Sequence, residues 1–70
     1  MYFLVELTRS NGTVAKAVWE HGTKDSAIMA LYQTMASAIA NPAVDLVTCI
    51  VIDINGDTQR YDHWQEHESE

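Results

Sequence analysis

Two Asn-Gly pairs, Asn11-Gly12 and Asn55-Gly56, each set between apolar runs, bracket one long uncharged segment, and this spacing leaves few folds open. Asn-Gly between alternating apolar stretches is a strong hairpin signal, because glycine, and more rarely asparagine, accepts the positive φ of a tight turn. The layout predicts two hairpins with a helix between them. Strands are expected at about 2–9, 13–20, 44–54 and 57–64 and the helix at about 24–41. Together they make one α+β, ββαββ domain over 1–64, with an acidic tail, 65–70, expected to be disordered.

The first hairpin admits two registers. A two-residue turn pairs Ser10 with Thr13; a type I turn with a bulge pairs Arg9 with Thr13. The bulged register is preferred, because it sets Phe3 against Trp19, Val5 against Ala17 and Leu7 against Ala15, with Glu6 meeting Lys16 as an opposite-charge pair. The other register places Leu7 against Lys16 and Phe3 against Glu20. A slip of one residue moves a whole apolar set to the opposite face.

The helix is expected to start at Thr23, a capping hydroxyl, with Asp25 favourable in the first turn. Asn41-Pro42 ends it, since proline restricts the residue before it to extended geometry. Ile28, Leu31, Tyr32, Met35 and Ile39 form a stripe at helical spacing, flanked by Ala27, Ala36 and Ala38, that packs on the sheet. The outward stripe, Ser26, Ala30, Gln33, Ser37 and Asn41, carries no charge, which permits close approach of another surface. The first and third strands are the most continuously apolar and suit central positions, whereas Lys16 and Arg60 mark the second and fourth as edges. An antiparallel sheet of order 2-1-3-4 follows, in preference to 1-2-3-4 with a parallel centre.

One helix covers one face of a four-stranded sheet, so the other face must meet something. With Phe3, Val5, Leu7, Ala15, Ala17 and Trp19 turned to the helix, Leu4, Val14 and Val18 point away. Either Ile50 and Ile52 or Val47 and Val51 join them, and Trp64 and Tyr2 extend the patch. Monomers rarely expose contiguous apolar area beyond a few hundred Å², so this face is expected to be buried in a homodimer or against a partner.

Four basic residues stand against ten acidic ones, for a net charge of −6. The basic side chains, Arg9, Lys16, Lys24 and Arg60, are scattered, and direct nucleic-acid binding needs them clustered. Asp53, Asp57 and Asp62, with the acidic tail, instead suit a partner with a basic surface. No membrane span is expected, because Gln33, Thr34, Ser37, Asn41 and Pro42 make the helical segment too polar. Glu6 and Arg9 interrupt the apolar opening, so no signal peptide is expected and the expected location is cytoplasmic.

Candidate chemistry is sparse. His63 and His67 stand four apart with Glu66 and Glu70 nearby, yet this is an incomplete metal-ligand set in a strand end and tail. The single Cys49 lies in the apolar run from Val47 to Ile52, where a thiol acts as a small buried hydrophobe. Trp19, His21, Thr23 and Lys24 meet at the turn into the helix, a corner suited to an anionic ligand. No catalytic residues, cofactor or metal site are expected.

Met1 to Leu7, the Ala-Val-Trp-Glu ending the second strand, the helix text Ala-Leu-Tyr-Gln-Thr-Met-Ala-Ser-Ala, and Val-Ile-Asp with Asn-Gly resemble small uncharacterised proteins of prophages and integrative elements in gut Firmicutes. The resemblance spans most of the chain and contains no chemical motif. It implies a mobile-element accessory protein in the host cytoplasm. Small acidic phage proteins of this kind include inhibitors of host defence such as anti-CRISPR proteins. The expected function is therefore a non-enzymatic protein-binding module, an inhibitor of a host defence or nucleic-acid-handling protein. An oligomeric binder of a small ligand or nucleotide is the alternative, and a structural protein the second alternative.

Overall fold

The computed structural model describes residues 1–66. Its elements are β1 (Tyr2–Ser10), β2 (Thr13–His21), α1 (Lys24–Ala40), β3 (Val44–Asp53) and β4 (Thr58–Gln65). All pairings are antiparallel and the strand order is β2-β1-β3-β4, an α+β sheet with one helix on one face. β4 reaches Gln65, one residue past the expected end, and the Glu66 N–H donates to the Asp45 carbonyl at 2.9 Å. The rest of the expected tail, 67–70, lies outside the described residues.

The first turn overturns the bulged register. Asn11 (φ 53°) and Gly12 (φ 80°) both occupy the left-handed region, and Ser10 pairs with Thr13. Two consecutive residues with positive φ define the primed turn, whose twist matches that of the flanking strands. Turn geometry therefore prevails over the apolar matches across the strands. Leu4 stands opposite Trp19, Glu6 opposite Ala17 and Leu7 opposite Lys16.

The shift transfers β1 to the other face. Leu4, expected to point away, is buried at 1% exposure, and Val47, Cys49 and Val51 of β3 join it beneath the helix. Ala27, Leu31, Met35, Ala38 and Val44 complete the core, with Tyr2, Ala30 and Trp64 packed against its margin. Tyr2 and Trp64 thus belong to the helix side. Phe3, Val5 and Leu7, expected against the helix, lie on the uncovered side, because side chains alternate along a strand. Full burial of side chains such as Leu4 and Leu31 contributes roughly 2 kcal/mol each.

In α1 the Thr23 hydroxyl accepts the Ser26 N–H at 3.1 Å, and Asp25 occupies the first turn. At the other end the Asn41 N–H donates to Ala38 and the Asn41 side chain accepts from the Ala43 N–H, turning the chain into β3. The buried stripe is Ala27, Leu31, Met35 and Ala38. Tyr32, Ala36 and Ile39, expected in it, are exposed, and Ala30, expected outward, packs against the core. Apolar residues surround this helix on most sides, so periodicity defines its inner face weakly. The small side chains of Ala27 and Ala38 are what let it approach the sheet.

The second turn is built by Asp53. Its carbonyl accepts the Gly56 N–H at 3.0 Å, and its carboxylate accepts the N–H groups of Asn55 and Asp57 at 2.9 and 3.0 Å. Gly56 takes φ 88°. A bulge follows, since Val51 pairs with Arg60 while Ile52 pairs with Thr58. Another irregularity interrupts the β1–β3 pairing between Arg9 and Ser10, where Asp45 receives a two-pronged ion pair from Arg9, with Nε–Oδ1 at 3.0 Å and Nη2–Oδ2 at 3.1 Å. The guanidinium is held above its ordinary pKa by that hydrogen bonding and by the carboxylate charge.

Candidate functional site: the uncovered sheet face

Alternation and register place the side chains of the open face in cross-strand rows, ordered from β2 to β4. The central row is Val18, Val5, Ile50 and Tyr61. On one side of it lie Glu20, Phe3, Ile52 and Thr58; on the other lie Lys16, Leu7, Thr48 and His63. Val14, Arg9, Leu46 and Gln65 form the outermost row. Phe3, Val5, Leu7, Leu46, Ile50 and Ile52 are half-buried by their neighbours, whereas Val14, Val18 and Tyr61 are 63%, 64% and 59% exposed. Continuous apolar surface thus runs across all four strands.

Polar groups sit at the margins of that surface, except for Thr48, which lies within it between Ile50 and Leu46 on β3. Arg9 is held by Asp45 at one end. Thr48 Oγ1 and His63 Nδ1 lie 2.7 Å apart, so this cross-strand pair satisfies itself. Lys16 and Glu20, both on β2, make no ion pair among the described residues.

The structure divides the residues singled out from sequence. Val14, Val18, Ile50 and Ile52 do share this face. Leu4 is in the core and Trp64 packs at its edge, both on the helix side. Asp62 is also on the helix side, opposite Cys49, and Asp53 and Asp57 belong to the β3–β4 turn. Sequence reasoning misses Phe3, Val5, Leu7, Leu46 and Tyr61 as members of the face. The two-residue primed turn carries the signal for β1, because that register alone turns its odd-numbered residues outward.

The corner at the start of the helix is divided as well. Trp19 and His21 line a groove of about 260 Å³ with Leu4, Ala30 and Gln33, but Thr23 and Lys24 do not. The Thr23 hydroxyl is occupied in capping, and His21 Nδ1 lies 2.9 Å from Ser26 Oγ. A shallower groove of about 360 Å³ continues along the helix past Glu6, Thr8 and Ser37.

Cys49 is fully buried, and desolvation pushes its thiol up to about 11, with the charges of Glu6 and Asp62 adding to the effect. A neutral thiol of that kind is a poor nucleophile. His63 bonds to Thr48, while its expected companion His67 lies outside the described residues. Among the described residues no cluster of three or more His, Cys, Asp or Glu could hold a metal ion, and no helix is long and apolar enough to cross a membrane. Comparisons with protein-family models, with curated proteins and with solved structures return no match.

Proposed function

We propose that this chain is a small acidic protein-binding module without enzymatic activity, working through the uncovered face of its sheet. The observation that carries this reading is the contiguous apolar surface across β2, β1, β3 and β4, centred on Val18, Val5, Ile50 and Tyr61. Such a surface favours association, because its burial removes apolar area from water while few charges must be desolvated. The net charge of −6 keeps the remaining surface soluble, and the acidic β3–β4 turn with Asp53 and Asp57, which lies off that face, suits a further partner with exposed basic groups. A host protein that handles nucleic acid presents such groups, and inhibition by occupying them is the specific role we assign.

Ile50→Lys tests the reading at the centre of the face. The variant should retain the wild-type circular dichroism spectrum and the melting midpoint of the dissociated chain, yet lose self-association and, at dilutions where wild type is dissociated, binding of an anilinonaphthalene dye. Wild-type protein that neither associates nor binds the dye would overturn the proposal.

A further inference from the structure

We infer that the occupant of the uncovered face is a second copy of this chain, related by a two-fold axis that runs along the row Val18, Val5, Ile50 and Tyr61. The inference rests on the proposed role of that face and specifies what covers it. Area and charge both support it.

Four strands spaced ~4.8 Å apart, with side-chain rows extending over ~20 Å of strand, make a face about 20 Å on each side. Corrugated by side chains, two such faces bury roughly 1,200 Å², the lower bound for a stable interface. Face-to-face sheets with nearly aligned strands are a standard packing arrangement.

The charges select the axis. Lys16 and Glu20 lie two residues on either side of Val18, so they flank the central row symmetrically with opposite sign. Rotation about that row sets Lys16 of each copy against Glu20 of the other. It also lays Leu7 over Phe3 and Thr48 over Ile52 of the second copy. The alternative in-plane axis, parallel to the strands, would set Lys16 over His63 and leave Glu20 without a cation. Only the first arrangement gives both β2 charges opposite-sign partners, and neither has an ion pair within its own chain among the described residues.

Light scattering behind a sizing column, across a concentration series, tests the inference with wild type, Lys16→Glu, Glu20→Lys and an equimolar mixture of the two variants. Wild type should run as a dimer of the 7.9 kDa chain. Each single variant sets like charges against each other twice per dimer and should dimerise roughly tenfold more weakly. The mixture should recover wild-type affinity as a heterodimer, because the two acidic side chains of one variant then meet the two lysines of the other. A dimer indifferent to these changes would overturn the axis. A wild-type monomer would overturn the second copy altogether; if that monomer still bound the anilinonaphthalene dye, and lost it on Ile50→Lys, the protein-binding role would stand with a foreign occupant.

Discussion

Arg60 of β4 lies over the ring of Tyr32 on α1, its guanidinium carbon 5.2 Å from the ring centroid, and donates a hydrogen bond to the phenol oxygen. The pair explains why Tyr32 stands at the edge of the helix stripe rather than in the core: it fastens an edge strand to the helix. Replacing either residue with alanine should cost roughly 0.5–1 kcal/mol, and a double-mutant cycle should give a coupling energy of similar size. Additive single costs in urea denaturation would show that the contact contributes nothing.

Face assignment has a sharper test in Leu4 and Val18. Leu4→Ala should destabilise the fold by ~2–5 kcal/mol through the cavity it leaves. Val18→Thr, on the uncovered side, should change monomer unfolding by less than ~0.5 kcal/mol. Equal costs, measured in dilute urea titrations, would mean that β1 and β2 pair in a different register.

The sequence carries the architecture more reliably than the faces. Thr23 and Pro42 mark the helix ends by mechanisms that need no tertiary context, and the apolar continuity of residues 2–9 and 44–54 is enough to make them the central pair. The first hairpin goes astray when cross-strand pairing is weighed above turn chemistry. Both faces of β1 carry apolar residues, so either register yields a plausible core, and only the φ demands of Asn11-Gly12 separate them. The helix is rotated slightly from its expected setting for a similar reason: Ile28, Met29, Tyr32 and Ile39 spread around it, and alanines rather than large residues make the closest contacts.

Gly12 offers a direct test of that turn. A methyl at this position meets nothing within 4 Å, so the cost of Gly12→Ala comes only from φ 80°. It should amount to ~1–2 kcal/mol, whereas Asn11→Gly should be nearly neutral. A stabilising Gly12→Ala, seen as a raised melting midpoint, would contradict the primed turn.

Ala17 faces the helix side of an edge strand, opposite Glu6, and Glu6 itself lines an open groove beside α1. Ala17→Leu should therefore cost less than ~1 kcal/mol, in contrast to the ~1–3 kcal/mol typical of overpacking a closed core. A larger loss in thermal denaturation would place the helix closer to β2.

Burial keeps the Cys49 thiol protonated up to about pH 11, whereas its ordinary value is 9.0. Between these values the folded chain retains a proton that the unfolded chain releases. The thiol's contribution is therefore fully present below pH 9 and is lost as pH rises toward 11. Cys49→Ala should cost ~1 kcal/mol at neutral pH, and because the shift from 9.0 to about 11 is worth over ~2 kcal/mol, the stability gap between wild type and variant should close and then reverse over that alkaline window. A gap constant across the window would show that the thiol ionises alike in both states.

Trp19 and Trp64 stand on the helix side of the sheet at its two opposite edges, and neither indole reaches the apolar rows of the other side. Tyr61 is the aromatic group at the centre of those rows on β4. Tryptophan emission from this chain therefore follows unfolding while remaining blind to whatever docks on the open face, and tyrosine carries the association signal. Folding and assembly can be followed as separate optical channels in a single unlabelled sample.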